Sequence, residues 1–188
     1  MKNLQKLSGY LKLTFQFLAF FIPILVTVLW LFIDWAPINK AISQEYFLAP
    51  IKTPEGIVNF ATVELTSLSK FIGCIGQLLS ILPYILGFIL LKSLFSAYQK
   101  NKIFTSTNTQ IYKKIGWLAF LNGIFILPVT QVFMTIAATL SNPPGHRYIC
   151  ISCGTPHFEA ILCGLLIIVI SLVMQEAQSL QEENQLTV

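Results

Sequence analysis

The feature that most constrains this chain is a run of 21 residues, 13–33, that contains no charge. Two more runs follow, at 71–91, bracketed by Lys70 and Lys92, and at 115–140. About 20 consecutive apolar residues are enough for a helix to cross the hydrocarbon core of a bilayer. In lipid every backbone N–H and C=O must be satisfied within the segment, and these continuous runs do that as helices. A fourth run, 160–175, lies between Glu159 and Glu176. At about 1.5 Å per residue it reaches only about 24 Å, so its helix must include flanks and is placed at 158–176. The expected fold class is all-α, a polytopic membrane bundle of four transmembrane helices forming a single domain over 1–188.

The chain is 55% hydrophobic and 11% charged, against roughly 25% charged in ordinary soluble domains. The net charge of +4 is less informative than its distribution. Lys2, Lys6 and Lys12 precede the first run, and Lys92, Lys100, Lys102, Lys113 and Lys114 lie between the second and third. The segments 34–70 and 141–159 hold only Lys40, Lys52, Lys70 and Arg147. The positive-inside rule then puts both termini and the loop 92–114 in the cytoplasm, with outer loops at 34–70 and 141–157. The first run is too long for a signal-peptide core and lacks a small-residue cleavage site after it, so it reads as a retained span. Trp30 and Trp35 read as interfacial anchors at its outer end.

Inside the spans, Pro23, Pro83 and Pro128 each remove a hydrogen bond to the carbonyl four residues earlier and predict kinks. Gly73, Gln77, Ser80 and Gly87 share one side of the second span, and Gly116, Ala119, Gly123 and Thr130 one side of the third. Small residues allow close helix approach, within the bundle or against a second copy in a homo-oligomer. The first three runs hold no acidic or basic residue, which argues against a pump or ion-coupled transporter.

The loop 92–114 predicts a turn at 100–102 and a helix N-cap at Thr105 or Ser106, with Phe104 as a hydrophobic staple. Its lysines suit an anionic leaflet better than direct nucleic-acid binding. The stretch 98–116, YQKNKIFTSTNTQIYKKIG, resembles a signature of the bacterial domain-of-unknown-function family 2975. That signature runs aromatic-x-x-Gly-x-Ile-Phe-Ser/Thr, then Asn, then a basic pair before Ile-Gly. Phe104, Thr105, Asn108, Lys114, Ile115 and Gly116 fit it, and Asn101 stands where Gly is usual. The segment 142–147, NPPGHR, and the tail 180–188, LQEENQLTV, also look like the family's. The resemblance implies a four-helix protein of the bacterial inner membrane, of unknown activity, often encoded beside small helix-turn-helix DNA-binding proteins. Lys100, Lys102, Phe104, Asn108, Lys113 and Lys114 would then form a cytoplasmic interaction surface.

In the second outer loop, His146, Cys150, Cys153 and His157 are spaced H-x3-C-x2-C-x3-H. Cys150 and Cys153 could close a disulfide, cycle as a redox pair, bind zinc with the two histidines, or serve no role. The C-x-x-C is similar to that of quinone-linked thiol oxidoreductases of the vitamin K epoxide reductase type. Those enzymes relay electrons through a second cysteine pair in the first outer loop, and residues 34–62 contain no cysteine. The reading from sequence is therefore a non-enzymatic regulatory or sensory partner of a small helix-turn-helix protein, with no cofactor or resident metal expected. The alternative is a quinone-linked thiol-disulfide oxidoreductase using the C-x-x-C.

Overall fold

The computed structural model describes residues 2–100, 105–151 and 154–186. Helix α1 spans Lys2–Leu31 and a short α2 spans Ala36–Ser43. A hairpin follows, with β1 at Ile51–Thr53 and β2 at Gly56–Val58, then a 3-10 turn at Phe60–Thr62. Helix α3 spans Ser67–Gln99 and α4 spans Ser106–Leu121. A π-helical turn, Asn122–Ile126, leads into α5, Leu127–Thr139, and α6 spans Thr155–Leu186. Among the described residues, four helical stretches are long and apolar enough to cross a membrane: Leu4–Leu31, Ser67–Gln99, Ser106–Thr139 and Thr155–Leu180. The protein is thus a multi-pass, all-α membrane protein with one small hairpin. The fourth helix runs well past the 158–176 expected for it, because Glu159 and Glu176 interrupt the apolar run without interrupting the helix.

The three prolines behave differently. The chain stays α-helical through Pro23 and Pro83, while the π turn immediately precedes α5, which carries Pro128 in its first turn. Pro128 has no N–H to offer the preceding turn, and a wider turn there absorbs the mismatch.

The contacts divide the chain into two compact units. The first comprises 1–21, 83–124 and 154–188. Its seam is a backbone contact between α4 and α6. A Cβ on Gly164 would lie 2.5 Å from Phe120 N and 2.8 Å from Gly116 O, and one on Gly116 would lie 2.9 Å from Ile168 N. Gly123 is equally tight, 2.8 Å from His157 O. These glycines let the helix axes approach until backbones touch. Elsewhere in this unit Phe15 stacks against Phe88 and Phe95, with ring centroids 5.7 and 5.6 Å apart. Tyr98 and Tyr112 share a hydroxyl hydrogen bond of 2.6 Å between α3 and α4.

The second unit comprises 22–82 and 125–153. Its core is Trp30, Ile33, Ile42, Leu48, Phe60, Met134, Ala137 and Ala138. Trp30 meets Phe60 edge to face at 5.6 Å and covers Gly73, where a Cβ would collide with the indole. Trp30 is therefore a core residue, not the interfacial anchor expected of it; Trp35, 62% exposed, can still serve as one. Gly76 packs on Phe133, its Cβ position 2.7 Å from Phe133 Cβ, whereas Gly87 meets only Leu118 at 4.0 Å. The tight face of α3 is thus Gly73 and Gly76, not a face reaching Gly87.

Candidate functional site

The segment between α1 and α3 is an ordered cap. Pro37 opens α2, and Ile42, Leu48 and Phe60 bury their side chains beneath the cap. In the hairpin, Ile51 pairs with Val58, Lys52 with Ile57 and Thr53 with Gly56. The tight turn Pro54-Glu55 works because Gly56, at φ 133°, adopts a conformation that disfavours other residues. Asn59 caps the 3-10 turn by accepting from Ala61 N at 2.9 Å. Lys70, in the first turn of α3, pairs with Asp34 at the cap's start.

The segment after α5 folds onto this hairpin. Thr139, at the end of α5, accepts a hydrogen bond from Tyr148 N at 3.1 Å. Asn142 donates to His146 O at 3.0 Å, and Arg147 Nε donates to Asn142 O at 2.9 Å. This turn presents His146 Nδ1 and the Tyr148 hydroxyl to the Glu55 carboxylate, Tyr148 donating at 2.6 Å. The Tyr148 hydrogen bond, then the His146 contact, hold the Glu55 carboxyl below its usual pKa, and the same carboxylate raises that of Tyr148. Glu55, His146 and Tyr148 form a solvent-facing latch between two segments far apart in sequence.

Within the same unit lies an apolar cavity of about 110 Å³. Leu25, Val26, Leu29, Trp30 and Ile33 of α1 and its exit wall one side; Ile38, Ile42, Phe47 and Leu48 of the cap wall another. Gln77 of α3 is the only amide among the described residues that line it. A cavity of about 150 Å³ lined this way stays dry and takes a benzene-sized group, so a small apolar moiety suits this one.

The residues singled out from sequence fall in several places. His146 belongs to the latch, while His157 belongs to the other unit, at the start of α6. There His157 is buried, its Nδ1 accepts from Gly154 N at 3.2 Å, and its Nε2 has no partner among the described residues. Cys150 carries a free thiol, and Cys153 lies outside the described residues, so the disulfide considered for them is not supported. Among the described residues no group of three or more His, Cys, Asp or Glu side chains could hold a metal. Thr105 caps α4 as expected, at φ −134° and ψ 147°, accepting from Asn108 N at 3.3 Å. Lys100, Lys113 and Lys114 are exposed, whereas Asn108 is fully buried and so contributes packing instead of surface. Lys102 and Phe104, the expected staple included, lie outside the described residues.

Sequence reading missed Glu55 and Tyr148. The signal for the hairpin was present, a Pro-Glu-Gly turn between Ile-Lys-Thr and Ile-Val. The hairpin and the 3-10 turn fill the chain up to Thr62, and α3 begins at Ser67. Residues 40–188 match the model of a family described as "Protein of unknown function (DUF2975)". That match starts earlier than the stretch 98–116 that carries the resemblance and takes in most of the cap. No curated protein and no solved structure matches the chain.

Proposed function

Because the chain belongs to the DUF2975 family of proteins of unknown function, we propose that it is a sensory or regulatory protein of the bacterial inner membrane. Its partner would be a small cytoplasmic helix-turn-helix protein. The observation that carries this reading is the cap. Two separate segments are built into one ordered unit with a carboxylate-histidine-tyrosine latch and an apolar cavity. That is the construction of a receiving element, able to exist in a latched and an unlatched state. Helix α3 is one unbroken helix from the cap at Ser67 to Gln99, beside the exposed Lys100. The exposed Lys100, Lys113 and Lys114 supply a basic surface for an acidic partner.

Affinity purification of the full chain from native membranes tests the reading. A small DNA-binding protein should co-purify with wild type and be lost on replacing Lys113 and Lys114 by Glu. Recovery of no soluble partner, together with Cys150-dependent reduction or oxidation of a quinone, would refute it in favour of the thiol oxidoreductase.

A further inference from the structure

A second cavity, in the other unit, has a different chemistry. It is a groove of about 440 Å³ lined by Gln5, Lys6, Gly9, Tyr10, Lys12 and Leu13 of α1 and by Gln99, the last residue of α3. The volume falls in the range of about 300–1,000 Å³ typical of small-molecule sites. Its α1 wall follows from helical spacing: residues 5, 6, 9, 12 and 13 share one face. Gly9 is the low point of that face, three residues from each lysine. The side-chain nitrogen of Gln99 lies 3.4 Å from where a Gly9 Cβ would be. Among the described residues, neither Lys6 nor Lys12 forms an ion pair, and none of the residues lining the groove is acidic. The groove therefore concentrates two uncompensated cations and two amides in one concavity.

We propose that this groove binds the phosphate of an anionic phospholipid. Lys6 and Lys12 would supply the charge, and Gln5 and Gln99 the neutral donors. The lipid source is favoured over a free phosphate because of what adjoins the cations. Tyr10 is 71% and Leu13 64% exposed, and the exposed apolar face continues through Phe17 and Phe20 at 61% and 69%. Leu13 also begins the uncharged run 13–33. An anion held at the lysines thus has an apolar track one helical turn away, which matches a headgroup joined to acyl chains and has no use for an inorganic ion. Basic pockets beside membrane helices recognise headgroups by this combination of charge and apolar surface.

The test uses the full-length protein in nanodiscs of phosphatidylcholine and phosphatidylglycerol mixed four to one. Lipids retained on gentle release are counted by native mass spectrometry. Wild type should retain phosphatidylglycerol in preference to phosphatidylcholine. Each lysine near an anionic headgroup contributes about fivefold, so Lys6→Gln with Lys12→Gln should lower the preference by about 25-fold. Gly9→Leu fills the groove without changing charge and should also lower it, whereas Lys40→Gln with Lys52→Gln should leave it intact. Gel filtration and far-UV circular dichroism establish that each variant is folded. The proposal is overturned if the Lys6/Lys12 variant keeps its preference, or if the Lys40/Lys52 variant loses as much. It is equally overturned if Gly9→Leu has no effect, since charge alone would then suffice, or if millimolar inorganic phosphate displaces the lipid.

Discussion

Two mid-helix glycines, Gly87 in α3 and Gly164 in α6, separate packing from intrinsic helix preference. Replacing either by Ala gains up to about 1 kcal/mol of helix propensity. What differs is the space each offers. At Gly87 the added methyl meets only Leu118, at 4.0 Å, which is ordinary contact. At Gly164 it would sit 2.5 Å from Phe120 N, 2.8 Å from Phe120 Cα and 2.8 Å from Gly116 O, all backbone atoms that no rotamer change can move. Close-packed contact requires a retreat of about 0.9 Å along that line. The same seam holds Gly116 and Gly123, so separation there also opens their contacts with Ile168 and Ile161. Overpacking of this kind costs typically about 1–3 kcal/mol, and the rigid neighbours place Gly164→Ala near the upper end. Gly87→Ala should therefore be neutral or stabilising by up to about 1 kcal/mol, and Gly164→Ala net destabilising by about 1–2 kcal/mol. Steric-trapping measurements of unfolding in bicelles give both values on the same footing. Equal effects of the two substitutions would refute the backbone contact between α4 and α6.

Further outcomes follow from the cap and the loop. The lowered Glu55 pKa means that the latch contributes stability above the ordinary carboxylate value of 4.5 and loses it as pH falls through the lowered value. Hydrogen exchange at 51–58 should accelerate in acid, and Glu55→Gln should remove that dependence. Trp30→Ala deletes a buried indole and should cost about 3–5 kcal/mol, while Trp35→Ala, at an exposed position, should stay within about 0.5 kcal/mol; thermal unfolding in detergent measures both. Thr105→Ala removes the cap of α4 and should cost about 1 kcal/mol, with faster exchange at Asn108, and Thr105→Ser should restore it.

The latch gives the cap a specific physical role. It joins residues 91 and 93 positions apart through one carboxylate, on the outside of the packed core. Trp30, Ile42 and Phe60 are buried apart from it, while Ile51 and Val58 of the hairpin pack against that core.

The sequence by itself determined the helices, because spanning segments are set by local apolar length, and it narrowed the N-cap to Thr105 or Ser106 because capping involves residues three apart. The signature around 98–116 also identified the family. The sequence did not show that Trp30 is core while Trp35 is exposed, that Gly73 and Gly76 make the tight face of α3, or that Asn108 is buried. Each depends on what a neighbouring element puts opposite, and identical glycines read identically along a chain. The cap was the least legible part. Its hairpin had a local turn signal, but the partners of Glu55 lie beyond the whole third apolar stretch. Only the tertiary structure could bring that carboxylate to His146 and Tyr148, because the contact is made by the folding of two segments that carry no trace of each other.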